Sequence, residues 1–205
     1  MHDEQVLFVK EMRAKFPIKI IDKRVLDAGS LDVNGNVREI FQHASEYIGL
    51  DIGHGRNVDV VSLIHEYFPE KPFDVVLSLE ALEHDIHWVE SLKAITERLL
   101  VEGGLFIMTC AGEGRREHGT AEHDPACSPF TASSENKKWQ SYYCNLTEEM
   151  IRYAIDINKC FEKYEFSSGR AGEDLYFWGI KRRAAKTSRT SAKGQGAAKD
   201  VTAED

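Results

Sequence analysis

Three acids and one glycine stand where a chain of this kind could bind or transform a small molecule. Asp27 and Gly29 close the apolar run Val25-Leu26-Asp27-Ala28-Gly29, and Asp51 closes Tyr47-Ile48-Gly49-Leu50-Asp51. Glu80 stands two residues past Phe73-Asp74-Val75-Val76-Leu77-Ser78. A carboxylate at the end of such a run can accept hydrogen bonds from hydroxyls or offset an ammonium charge. Glycine has no Cβ and allows close approach of backbone to a ligand. After Gly29 come Ser30-Leu31-Asp32-Val33-Asn34, and then the next glycine, Gly35. Asp32 and Asn34 could add polar contacts or simply shape the turn.

The histidines are the second chemical group. His84 and His87 flank Asp85-Ile86, and His118 and His123 lie near Asp124 and Cys127. A general base is needed only where an acceptor must lose a proton, as a sugar hydroxyl or a phenol would. His84 and His118 are the two candidates for that role, and Tyr142 and Tyr143 are candidates for lining an acceptor pocket. The same histidines could ligate a metal, but no tightly spaced quartet exists, so no metal is expected.

These residues need elements to position them, and hydrophobic spacing supplies these. Residues 3–16 suit an amphipathic helix ended by Pro17. Arg24–Ala28, Glu46–Asp51, Val58–Val61, Phe73–Leu79 and Leu105–Cys110 read as strands. A helix is expected from Val37, with Ile40 and Phe41 on one face. Another carries Trp88, Leu92, Ile95 and Leu99, and Glu102-Gly103-Gly104 breaks it. Strand alternating with helix argues for a doubly wound, mostly parallel sheet, in which ligands bind at the carboxyl ends of the strands. Residues 111–146 lose that rhythm but hold Phe130, Trp139, Tyr142 and Tyr143, as a loop covering a site would. Thr147 is placed to cap a helix running to about Asn158, and Phe161–Phe166 with Asp174–Ile180 read as a final strand pair. The expected division is an N-terminal helix in residues 1–20, one domain over 21–182, and a disordered basic tail over 183–205.

Charge narrows the ligands. The 205 residues carry a net −8, yet residues 181–205 hold seven Lys/Arg against three Asp/Glu, which leaves −12 on residues 1–180. Such an acidic body is a poor surface for a nucleic-acid backbone. The four cysteines form no C-x-x-C pair, and Met1-His2-Asp3-Glu4 does not begin a signal peptide. Reduced thiols and a cytoplasmic location are the expectation, with no transmembrane span.

The ordered pieces Val-Leu-Asp-Ala-Gly (25–29), Tyr-Ile-Gly-Leu-Asp (47–51), Phe-Asp-Val-Val-Leu-Ser (73–78), Leu-Glu-His (82–84) and Glu-Gly-Gly-Leu-Phe-Ile (102–107) resemble the class I S-adenosylmethionine-dependent methyltransferases. The resemblance covers roughly residues 20–180. It implies a seven-stranded Rossmann-like sheet with an antiparallel last strand, and S-adenosyl-L-methionine as cofactor. It places Asp27, Gly29, Ser30, Asp32 and Asn34 in the cofactor loop. Asp51 is placed on the ribose hydroxyls, Ile52 on the adenine and Glu80 near the methionine end. The acid this family often carries after the third strand is replaced here by Ser62-Leu63-Ile64-His65. The acceptor implied is a small molecule or saccharide, methylated on O or N. A non-catalytic cofactor-binding module and a nicotinamide oxidoreductase are the alternatives, and the latter lacks its G-x-G-x-x-G loop here.

Overall fold

The computed structural model describes residues 3–169 and 173–184. Seven strands form one sheet: β1 (Arg24–Ala28), β2 (Glu46–Asp51), β3 (Val60–Val61), β4 (Phe73–Leu79), β5 (Leu100–Ala111), β6 (Phe161–Ser168) and β7 (Asp174–Lys181). Their order across the sheet is β3-β2-β1-β4-β5-β7-β6. The first five run parallel, whereas β7 pairs antiparallel with both β5 and β6. The strand order reverses between β1 and β4, which opens a crevice at their carboxyl ends.

The sheet is covered on both faces, so its inner strands read as apolar runs with no polar alternation. Leu26, Ala28, Val76, Phe106 and Met108 point to one face, and Val25, Val75, Leu77, Leu105 and Ile107 to the other. The first face packs against α3 (Trp88–Ala94), whose last turn widens into a π turn over Ile95–Leu99, through Leu92, Ile95 and Leu99. The second receives Phe8, Val9 and Met12 of α1 (Asp3–Lys15). Pro17, which ends α1, opens a further turn, α2 (Pro17–Ile20). Gly103 and Gly104 lie where β5 shifts register against β4, between the pairs Phe73–Leu100 and Val75–Leu105.

Two expectations are corrected. The helix expected from Val37 is a single 3-10 turn, Arg38–Phe41. The chain spends residues 29–37 on a loop and must enter β2 at Glu46, so too few residues remain for a helix. The helix capped by Thr147 is two pieces, α6 (Glu148–Ala154) and α7 (Ile157–Cys160). Thr147 accepts a hydrogen bond from the Met150 amide, and Asp156 caps α7 by accepting from Lys159. Between β5 and α6 the long connection contains two short helices, α4 (Pro129–Ala132) and α5 (Lys137–Gln140). No described helix is long and apolar enough to cross a membrane. The expected tail lies outside the described residues from 185 onward.

Candidate active site

The loop after β1 is fixed from both sides. The amides of Gly29 and Ser30 donate to Leu50 O at 2.8 and 3.0 Å, which ties the loop to β2. Gly29 has φ +90°, and a Cβ there would stand 2.2 Å from Ala81 Cβ. The absent side chain therefore makes room for the loop after β4, and Gly29 still lines the cleft. Ser30 Oγ donates to Asn57 O at 3.1 Å, and Asn57 Nδ2 donates back to Ser30 O at 2.9 Å.

Asp32 answers the question its sequence left open. Its carboxylate accepts from Gly35 N and Asn36 Nδ2, both at 2.8 Å, and from Arg56 Nε at 2.9 Å. It closes the turn, and its side chain is enclosed there. These donors hold its carboxyl below the usual range, the Arg56 guanidinium contributing most.

The two acids that end β1 and β2 sit differently. Asp27 is buried, and its Oδ2 accepts from the Tyr47 hydroxyl at 2.7 Å. Burial pushes its carboxyl up to about 6, against the pull of the Tyr47 bond. Asp51 accepts from the Leu31 amide on Oδ2 at 2.9 Å and from the Ile52 amide on Oδ1 at 2.8 Å. A carboxylate oxygen has two lone-pair sites, so each of these keeps acceptor capacity after its backbone bond.

At the end of β4 the polar groups are less well matched. Glu80 takes the left-handed conformation, φ 56°, which is costly for a residue with a side chain. Its Oε1 is buried with no hydrogen-bond partner, and burial with the neighbouring Asp174 charge lifts its carboxyl to about 7. Glu83 lies beneath it, fully buried. Its Oε1 accepts from the Ala111 amide at 3.1 Å, while Oε2 has no partner. Burial, then the Glu80 charge, raises Glu83 well above the usual range. His84 is buried, its Nδ1 unmatched, and burial followed by the nearby His118 lowers it to about 3, so it is neutral at pH 7. Its ring lies 5.0 Å from that of His118 and 5.7 Å from that of Tyr143.

The connection from β5 to α6 covers this floor. Trp139 Nε1 donates to His84 O at 2.8 Å, and Cys144 N donates to Glu83 O at 2.9 Å. A Cβ on Gly53 would stand 2.7 Å from the Phe130 ring, so the covering loop rests on the loop after β2. His118 Nδ1 lies 3.0 Å from Arg116 O, an acceptor, so that nitrogen carries a proton.

One cleft of about 970 Å³, its open mouth included, joins these pieces. Asp27, Gly29, Ser30, Asn34, Asp51, Ile52, Glu80 and His84 line it, with Ser62 after β3. His118, Tyr142 and Tyr143 do not line it; His118 and Tyr143 stand behind His84. Phe130, Thr131 and Trp139 line its outer wall, and the aromatic content of residues 111–146 was the only sequence signal for them. Glu83 carried no signal beyond its place in Leu-Glu-His.

The fold is that of the class I S-adenosylmethionine-dependent methyltransferases. The chain is similar to the CurJ carbon methyltransferase, with TM-score 0.61 and 15% identity over 87% of this chain and 54% of that one. It is similar to an S-adenosylmethionine-dependent methyltransferase from Clostridium acetobutylicum, with TM-score 0.59 and 10% identity over 89% and 93%. It is also similar to the 1,6-didemethyltoxoflavin-N1-methyltransferase of Burkholderia thailandensis, whose structure contains that substrate and S-adenosylhomocysteine (TM-score 0.56, 16% identity, 88% and 80%). No protein-family profile matches the chain, and no curated protein matches its sequence.

Proposed function

We propose that this protein is an S-adenosylmethionine-dependent methyltransferase acting on a small-molecule or saccharide acceptor. The observation that carries this reading is Asp51. Its carboxylate is oriented by the Leu31 and Ile52 amides at the mouth of the cleft, with acceptor capacity left on both oxygens. That suits two vicinal ribose hydroxyls. Ile52 offers an apolar surface to the adenine, and the loop from Gly29 to Asn36 leaves room beside β1. The unmatched Glu80 Oε1 faces the end where an ammonium group would be neutralised. Bound there, the cofactor would supply an activated methyl group on a sulfonium.

The chain's own residues do the rest. The cleft walls hold acceptor and cofactor in line and exclude water, and that positioning supplies most of the catalysis in such a displacement. His84 is neutral and can accept a proton, but its depressed basicity makes it a weak base while it is buried. His118, held through Nδ1 on Arg116 O in the covering loop, is the second candidate base. A cytosolic setting is part of the same reading, since the four cysteines stand as free thiols.

Calorimetry of the full chain with S-adenosylmethionine and S-adenosylhomocysteine tests the proposal. Micromolar binding of both, lost in Asp51→Ala, is expected. Absence of binding at millimolar ligand, or preference for a nicotinamide dinucleotide, would overturn it.

A further inference from the structure

Beneath the cleft floor, behind His84, the adjacent Glu83 and His84 meet His118 from the covering loop. One ligand atom each from Glu83, His84 and His118 lie within 4.8 Å of one another. Two of the three residues are at least nine-tenths buried, with Glu83 at 0% and His84 at 5% exposure. Both carry polar atoms with no partner, Oε2 of Glu83 and Nδ1 of His84. A third unmatched atom, Oε1 of Glu80, lies just past β4, before the 3-10 turn that carries Glu83 and His84. Buried polar atoms are almost always matched, so the two unmatched ones in this cluster, with a third nearby, call for a ligand. A cation would match them, since carboxylate oxygens and an imidazole nitrogen can each offer it a lone pair.

We propose that Glu83, His84 and His118, with Glu80 beside them, form a binding site for one divalent cation. Two imidazole nitrogens and one or two carboxylate oxygens form a mixed set that first-row divalent ions such as Mn2+, Fe2+ and Co2+ accept, usually with water or substrate in the remaining positions. Donors on opposite sides of such an ion stand about 4.2 Å apart for bonds of about 2.1 Å. A cluster already within 4.8 Å therefore closes on the ion by small movements. The second contacts are also in place. Glu83 Oε1 is fixed by the Ala111 amide, and the His118 ring is oriented through Nδ1 on Arg116 O, which directs Nε2 as its ligand nitrogen. Such outer contacts orient ligands in metal sites generally. Glu80 and His84 line the cleft, so the open positions of the ion face it.

One consequence rests on the methyltransferase reading, although the ion site itself does not. A hydroxyl of the acceptor, bound to the ion, becomes more acidic. That would favour a hydroxylated acceptor methylated on oxygen, and would relieve His84 of acting as base.

The test is Mn2+ binding to metal-stripped full-length protein, followed by loss of the free-ion electron paramagnetic resonance signal. One Mn2+ per chain is expected, displaced by excess Co2+. Glu83→Gln and His118→Ala are each expected to weaken binding by about 10- to 100-fold or more. His123→Ala should leave it unchanged, since His123 pairs with Glu117 at 3.0 Å outside the cluster. Circular dichroism establishes that each variant folds. Should Glu83→Gln fail to fold, His118→Ala decides, because His118 sits in the covering loop outside the core. No binding at millimolar Mn2+, as a merely protonated Glu83 would give, overturns the proposal. So does binding that survives in folded His118→Ala. Neither result depends on methyl transfer, so the ion site can fail while the cofactor reading stands.

Discussion

At the β1–β2 end of the cleft, carboxylates are matched within the chain; at the β4 end, polar atoms are buried and unmatched. Asp32 holds three donors and Asp51 two backbone amides. Glu80, Glu83 and His84 each leave one buried atom without a partner. A matched group defines shape and receives a ligand without rearrangement. An unmatched one costs about 1–3 kcal/mol in the free protein and gives it back when a ligand arrives. The first end therefore acts as a preformed mould, and the second as a site whose full stability depends on what binds there.

Gly29 sits at the contact between the two ends and gives the largest expected effect. Gly29→Val adds a branched side chain at φ +90° against Ala81. The backbone strain alone is worth about 1–3 kcal/mol, and the steric overlap adds to it. We expect a loss of about 3 kcal/mol or more in urea unfolding. The milder Gly29→Ala should regain part of its loss when Ala81→Gly is added. No recovery would show that the two loops do not press on each other there.

Next in size is Asp51→Asn, which keeps the side-chain shape but loses the charge and one acceptor oxygen. Charge-assisted hydrogen bonds are worth about 1.5–3 kcal/mol each, so cofactor affinity should fall by about 10- to 100-fold in calorimetry. The fold should persist, since one backbone amide keeps its acceptor. Unchanged affinity would remove the ribose role from Asp51.

At the matched end burial still outweighs the hydrogen bonds, raising the carboxyls of both Asp51 and Asp27. The folded value of Asp27, about 6, lies above the ordinary carboxylate value of 3.8. The folded protein thus holds that proton more tightly than the unfolded chain. Stability drains away as pH rises from about 4 to about 6 and stays lost above that. Asp27→Asn can still accept from Tyr47 and avoids the charge. It should be more stable than wild type at pH 8, on the order of 2 kcal/mol, with the difference closing near pH 4. A constant difference across that range would refute the burial argument.

The smallest effect is expected at Arg56, which is 80% exposed although its partner Asp32 is enclosed. Arg56→Ala should change stability by less than about 1 kcal/mol and leave cofactor affinity alone. A large loss of affinity would place the Asp32 turn in the binding surface.

The sheet was legible because its signals are local. Apolar runs, acids at strand ends and each strand of the closing pair occupy fewer than ten consecutive residues. The failures involve length and distance. Val37, Ile40 and Phe41 have helical spacing, yet the preceding loop leaves room for only one turn. The bond of Asp32 to Arg56 spans 24 positions. The meeting of Glu83 with the Ala111 amide spans 28, and that of Trp139 with His84 spans 55. Two histidines 34 residues apart suggested no metal cluster by spacing, although the fold brings them to a ring separation of 5.0 Å. The β1–β2 end is tied by bonds such as that between Ser30 and Asn57, 27 positions apart, whereas Trp139 and His84 at the β4 end stand 55 apart.

The single 3-10 turn that replaces a helix after β1 also bears on which ligands this crevice can select. A full helix there would aim its macrodipole and a row of free amides at the loop, the arrangement that holds a pyrophosphate in dinucleotide-binding folds. Arg38–Phe41 is too short to build such a dipole, and the Gly35 amide is already taken by Asp32. With Asp27, Asp51 and Glu80 around it, the crevice presents negative potential and little anion-binding capacity. On the proposed function, that charge should disfavour phosphorylated nucleotides and suit an adenosine whose far end is cationic.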